Sequence, residues 1–433
     1  MKRVWWCCVI RDRSIGLLLR RPIQITNEHF NFNKDPLDAA DFENEAERSK
    51  VYNPPTKRHL AEILARWVRL YVALTNTLLL AFPPDNTQCP KTSLGHAIMF
   101  DDCKATLRQW HTFTSLKLPK PRKNSRLSLP PDDHIGVEVD QNSAALYTNL
   151  MYMYYHTSRI TLCHYEMFRL AGRHENDSHS SLARSLSAIL ESRNELEDAT
   201  LGIMDCQGDL ARRGLVRWLP ISAIGCIVLP LVLNILDIKL GRLHQATAAK
   251  QHQANILIQA IKDLCPQYEG VDWIIEIVRY IISTTRLRGS SPNANWADIF
   301  AFQPTSYLRL ALALDMSLSK GLLPQDKDFP TCLGGSDPTA APPPEAPVTV
   351  SGSSTTQDYR SSLPSDSTTS PYTDFCTLGI DEAFIGNLED QIHWHTANGF
   401  PDNGLSRFMS AGMGNKDLSR GTEHSTNLDA YDF

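Results

Sequence analysis

Histidine and cysteine are the side chains best suited to hold a metal or attack a substrate. The chain has fourteen of the first and ten of the second. The closest histidine pairs are His393/His395, His156/His164 and His174/His179. On a helix, residues two or eight apart lie on different faces or two turns apart, so these imidazoles read as solvated or capping groups, not ligands. The cysteines stand at 7, 8, 89, 103, 163, 206, 226, 265, 332 and 376 without a single C-x-x-C. No zinc finger, zinc cluster or thioredoxin-like site follows from that spacing. Several cysteines (Cys163, Cys226, Cys265) fall inside apolar runs, where a reduced buried thiol and a reducing intracellular compartment are expected. G-x-S-x-G, P-loop, dinucleotide and H-E-x-x-H frames are all missing, and no carboxylate pair sits in an apolar context that would raise a pKa for acid–base work. These residues argue against an enzyme.

Binding chemistry is more evident, and it lies near the end of the chain. From Tyr372 to Trp394, Asp374, Asp381, Glu382, Glu389 and Asp390 interleave with aromatic and aliphatic residues. Charge keeps such hydrophobes in solution until a partner groove captures them as an induced helix. Phe384, Ile385, Leu388 and Ile392 would share one face of that helix, and with Trp394 they are the candidate activation contacts. The alternative is a short helix that docks on the body.

The charge distribution separates this tail from the rest. After residue 330 there are 14 acidic and 4 basic residues, net −10, which leaves net +5 for the remainder of a chain whose total is −5. Of the 41 residues 331–371, 26 are Ser, Thr, Pro or Gly. That composition cannot bury enough apolar area to offset its ordering entropy, so 330–371 is expected to be a disordered linker and 372–433 an acidic tail.

Up to about residue 325 the periodicity is helical. Leu60, Ile63, Leu64, Trp67, Leu70, Tyr71, Leu74 and Leu78 recur at 3- and 4-residue steps between Pro54-Pro55 and Pro83-Pro84, which predicts a helix over 56–82. Further helices are predicted over 141–171 (closed by Gly172), 180–201, 215–240, 244–264, 270–286 and 304–320. The alternation of Ile135, Val137 and Val139 is too short to make a sheet. The expectation is an all-α body over 1–325, a bundle of long antiparallel helices. Two stretches leave alternatives open. Lys117, Lys120, Arg122, Lys123 and Arg126 form a solvated loop, an import signal or a phosphate-contacting patch. Trp218–Leu236, nineteen residues without a charge, is long enough to cross a membrane and equally suited to the centre of a bundle. The apolar start, Val4 to Ile10, is cut by Arg11, Asp12 and Arg13, so a signal peptide is not expected.

The first residues carry the most specific pattern. A helix over 2–19 can turn Trp5, Ile10 and Leu17 to one core, with Asp12 and Arg13 on a polar side, and Arg21-Pro22 ends it. Arg3-Val4-Trp5-Trp6, Asp12-Arg13 and Arg21-Pro22 followed by an acidic run resemble the middle homology region of fungal zinc-cluster transcription factors. Arg20 stands where that family has glycine, which bears on how tightly the turn closes. Tyr155-His156, Leu162 and His164 resemble a later helix of the family, with Tyr165-Glu166 where Arg-Pro is usual. The segment 216–237, ending Leu236-Asp237, resembles its central buried helix.

The resemblance implies a nuclear regulator of a pathway or a biosynthetic gene cluster, with transcriptional coactivators and a second copy of the chain as partners. The six-cysteine zinc cluster that reads DNA in the family has no counterpart here. The chain therefore reads as a truncated product or a regulator without its own DNA reader. It needs no cofactor, with zinc expected only in a missing amino-terminal cluster. DNA is reached only through a missing or partner module, and no membrane is involved. The alternative is a membrane-attached or small-ligand-binding helical protein built around 216–238.

Overall fold

Proline and asparagine decide where the long helices begin. Asn53 accepts a hydrogen bond from the Thr56 amide (2.9 Å) and Pro54-Pro55 fill the first helical positions, where no amide donor is needed. The helix so started runs to Ala81, within two residues of the sequence expectation. The structure, a computed structural model, describes residues 1–32, 34–84, 94–118, 134–171, 179–240, 244–268, 270–284, 295–330 and 333. Among these every regular element is helical, so the all-α class holds. The elements are α1 (Lys2–Leu18), α2 (Glu43–Arg48), α3 (Pro54–Ala81), α4 (Leu94–Lys117), α5 (His134–Ala171), α6 (His179–Arg212), α7 (Ile224–Leu240), α8 (His244–Leu264), α9 (Val271–Thr284), α10 (Trp296–Phe302) and α11 (Pro304–Lys320). Gly172, the basic residues 120–126, and the linker and tail beyond Leu333, including Phe384, Ile385, Leu388, Ile392 and Trp394, lie outside the described residues.

Two helices form the interior. α5 packs along α6 and α3, and its Met151, Tyr152, Met153 and Tyr154 are all buried, so here it is enclosed on every side. α7 contacts α6, α8 and α9, and 89% of the apolar window of Ile221–Leu240 is buried within the bundle. The charge-free run does not form one continuous helix. Pro220 breaks it, the segments Val216–Trp218 and Ile221–Ala223 are single 3-10 turns, and Trp218 is 61% exposed. Absence of charge did not imply burial at that end. Pro230 stands inside α7 without an amide to donate, and its carbonyl accepts from the side chain of Asn234 (2.8 Å).

Three helices lie outside the predicted set, the six-residue α2 and also α4 and α10. α4 carries Phe100, Cys103, Leu107, Trp110 and Thr114 inward at steps of 3, 4, 3 and 4, a stripe that a search of 94–118 could have found. α10 is only seven residues long, and a capping box between Asn295 and Asp298 starts it. α6 continues to Arg212, well past the predicted end at 201, because Ile203, Cys206 and Leu210 extend its buried stripe. The residues Ile135, Val137 and Val139 lie in the first turns of α5. Cys163 and Cys226 are free and buried as expected, whereas Cys265 is half-buried. Burial raises both buried thiols, Cys226 to about 12.

Among the described glycines, the closest approach is between α5 and α6. A Cβ added at Gly202 would lie 2.3 Å from Cε1 of His156, whose ring is buried against it. Alanine elsewhere in a helix is favoured over glycine by about 1 kcal/mol. Here Gly202→Ala should destabilise the protein by about 1–3 kcal/mol, as overpacked cores do. Urea unfolding checks it, and Gly202→Ala combined with His156→Ala should recover part of the loss.

Candidate functional site

The residues that carry the family resemblance gather around the end of α1, and the local backbone explains why. The helix ends at Leu18, and the Arg21 amide returns to the Gly16 carbonyl (3.1 Å). With Arg20 at φ +53° this is a Schellman closure, in which the residue after the cap takes the left-handed conformation. Glycine adopts it freely and arginine at a cost of about 1–2 kcal/mol. The turn is therefore as tight as a glycine would make it, and the Arg20 side chain holds it there. Its Nε donates to Asp315 Oδ1 of α11 (2.8 Å), and its Nη1 donates to the Leu17 carbonyl. Arg21 donates twice to the Ser319 carbonyl in the last turn of α11 (3.1 and 2.6 Å). Pro22 then directs the chain away from the helix.

Asp12 and Arg13 work on the other side of the same joint. Asp12 accepts from the amides of Gln24 (2.8 Å) and Ile25 (3.3 Å), which lays the extended segment back along α1. It also pairs with Arg13. Arg13 does not lie on a polar side of the helix, as the sequence suggested. Its side chain is wholly buried, donates to Thr75 Oγ1 of α3 (3.1 Å) and lies over the Phe32 ring. Burial lowers its pKa and Asp12 opposes that shift.

The inner face of α1 is also different from the one expected. Trp6, Val9, Arg13 and Leu17 form it, and Trp5 and Ile10 flank it half-buried. The reason is that α1 is covered from two directions. Trp6 and Val9 pack with Phe32, Leu37 and Val68 in a separate small core, while Trp5 meets Phe30 at 5.1 Å. The Trp5 Nε1 finds no hydrogen-bond partner among the described residues. At the far end of the helix, a Cβ on Gly225 would stand 2.9 Å from Leu18, so only glycine lets the start of α7 approach α1 this closely.

The second set of motif residues lies on α5, and two expectations about it are overturned. His156 and His164 are buried instead of solvated or capping. His156 Nδ1 lies 3.2 Å from an Arg159 nitrogen, and His164 Nε2 is 2.9 Å from the Tyr307 hydroxyl of α11. Burial takes His164 down to about 3, so its ring is neutral. Tyr165 packs on Phe100, and Glu166 accepts from Ser192 (2.6 Å) beside Lys104 and Arg169. With no proline in these positions α5 runs unbroken to Ala171.

Buried carboxylates are present that the sequence reading did not anticipate. Asp237 accepts from Lys250 (2.5 Å) and from the Trp296 amide at the start of α10 (2.7 Å). Asp315 faces Arg20. Burial raises the pKa of both, and each cation pulls the other way. A lone aspartate within the charge-free run that follows Arg309 in α11 was the available signal. Among the described residues no group of three or more His, Cys, Asp and Glu is placed to hold a metal ion. The site is a joint between helices, made of charges already paired with one another.

An all-α body with this joint is the class of structure the geometry defines. The chain is 25% identical over 256 residues to the cutinase transcription factor 1 beta of Fusarium vanettenii, covering 55% of this chain and 28% of the relative. It is 24% identical over 260 residues to a protein named transcription factor from Fusarium pseudograminearum (strain CS3096), again over 55% of this chain and 27% of that protein. The matched stretch is thus less than a third of either relative's own length. No family model and no solved structure matches the chain. The two likenesses support a fungal transcription factor family and a role in transcription regulation.

Arg20→Met should cost about 3 kcal/mol, because it leaves Asp315 without its counter-charge in a setting 15% exposed. Arg20→Gly loses the same pair but relaxes the backbone, and should be less destabilised by about 1 kcal/mol. The pH dependence has a definite sign. Without Arg20 the folded-state pKa of Asp315 lies further above its unfolded value, so protonation favours the fold, and the Arg20→Met deficit should shrink as pH falls from about 7 to about 5. Chemical denaturation across that range measures both.

Proposed function

We propose that this chain is the regulatory part of a nuclear transcription regulator of the fungal zinc-cluster family, which controls a pathway or a biosynthetic gene cluster through its helical body and acidic tail. The likeness to two fungal transcription factors over 55% of the chain carries the reading. The joint at Trp6, Asp12, Arg13, Arg21 and Pro22 supports it, since these residues of the family pattern pack or hydrogen-bond α1 to α3, to α11 and to the segment that follows it. In this reading the family motif is architectural and the chemistry of regulation is binding, not catalysis. DNA is read by a module or partner outside this sequence, and zinc belongs to that module. The body, net +5 with no C-x-x-C, offers no zinc-ligand spacing to hold a recognition helix. Coactivators are taken up by Phe384, Ile385, Leu388, Ile392 and Trp394, and a second copy of the chain is a further partner. Segment 216–238 serves as core and not as a membrane anchor, a reading supported by its enclosure among α6, α8 and α9.

The whole chain fused to a foreign DNA-binding domain should activate a reporter. Replacement of Phe384, Leu388 and Trp394 by alanine should abolish activation, and Asp381→Asn with Glu382→Gln should only reduce it, because the apolar stripe makes the contact. An inert fusion, or one indifferent to the alanine replacements, overturns the role given to the tail. The unfused chain should give no sequence-specific footprint at about 200 mM salt, where phosphate-only contacts are already weak. Alkaline carbonate should release it from membranes.

A further inference from the structure

Between the carboxy-terminal end of α6, the 3-10 turn Val216–Trp218 and the outer face of α8 lies an open groove of about 730 Å³. That is the volume of a small-molecule site. Val216, Ile256 and Pro266 supply apolar wall, and Arg217, His252 and Asn255 supply polar atoms. The charges around it are matched, with one exception. Arg212 and Arg213 are held by Asp209 at 3.2 and 3.0 Å, and Asp263 accepts from Gln259 at 2.7 Å. Arg217 makes no ion pair among the described residues, and its guanidinium lies 5.2 Å from the centroid of the Trp218 ring. Trp218 is itself 61% exposed. The stack leaves the hydrogen-bond donors of this exposed fork available to a ligand.

We propose that this groove binds a small monocarboxylate with a compact apolar body. The guanidinium of Arg217 takes the carboxylate, and the apolar part rests on Val216, Ile256 and Pro266. One uncommitted fork matches one carboxylate. A bare anion such as phosphate is disfavoured, because it gains nothing from the apolar wall of Val216, Ile256 and Pro266. The inference rests on the groove alone and is independent of the transcriptional reading.

Benzoate is the probe, with benzamide as its neutral counterpart and inorganic phosphate as the competing anion, each titrated into the full chain by calorimetry. The indole resonance of Trp218, assigned through Trp218→Phe, locates the binding. Benzoate should bind and shift that resonance. Benzamide and phosphate should bind at least about tenfold more weakly, the worth of one charge-assisted hydrogen bond. Arg217→Gln should lose at least the same factor. Arg217→Lys, which keeps the charge and loses the fork, should fall between and guards against a misfolded glutamine variant. No benzoate binding at about 10 mM, weaker than any specific site of this kind, overturns the proposal. So do equal binding of benzamide or phosphate, an unmoved Trp218 resonance, or an Arg217→Gln variant that binds like the parent.

Discussion

Arg20 and Asp315 stand 295 positions apart in the chain, and their ion pair closes the body on itself. Neither charge is tolerable alone in that setting: the carboxyl is raised by burial and the guanidinium is nearly enclosed. The pair is available only because the backbone at Arg20 is left-handed, and that conformation is stable only because the pair rewards it. Helix α1 is thereby fixed to α11, the two Arg21 bonds to Ser319 reinforce the contact, and Leu18 is brought against Gly225 of α7. The amino-terminal helix, the central apolar helix and the last helix of the body meet at one turn.

The rest of the interior follows a similar logic of paired charge around an apolar centre. α5 and α7 are buried over much of their length, and several of the polar groups they carry inward are answered by a neighbour. Asn149 donates to Asp209 (2.9 Å), Arg159 reaches Glu195 (2.6 Å), and Asp237 caps the start of α10. An unpaired group in such positions costs more than the pair contributes, so these contacts define which helices are neighbours more than they add stability. His164 shows the alternative solution. It has no counter-charge, and stays neutral against the Tyr307 hydroxyl.

This architecture bears on function by what it leaves free. The reactive and charged residues inside the body are committed to one another. Outside that network stand the exposed Trp218 with its stacked arginine and, in the sequence, the acid-and-aromatic pattern of 372–394. The likeness to two fungal transcription factors supports a role in transcription regulation for such a body.

The long helices were legible because burying one face of a helix imposes a 3- and 4-residue rhythm that any reader can find. α3 and α11 carry it plainly, with proline at their starts. The all-α class was likewise visible in the sequence. What it could not convey was which face of α1 turns inward, because Phe30 and Phe32 return over it from beyond the turn and take Trp5 on one side and Trp6 on the other. It also could not convey that Arg13, His156 and His164 are buried and Asp315 largely so. A polar residue in isolation is best left in water, and only a partner supplied from another helix makes its burial tolerable. Local spacing determined the elements. The pairing of distant charges, which exists only once those elements have met, decided how they are joined.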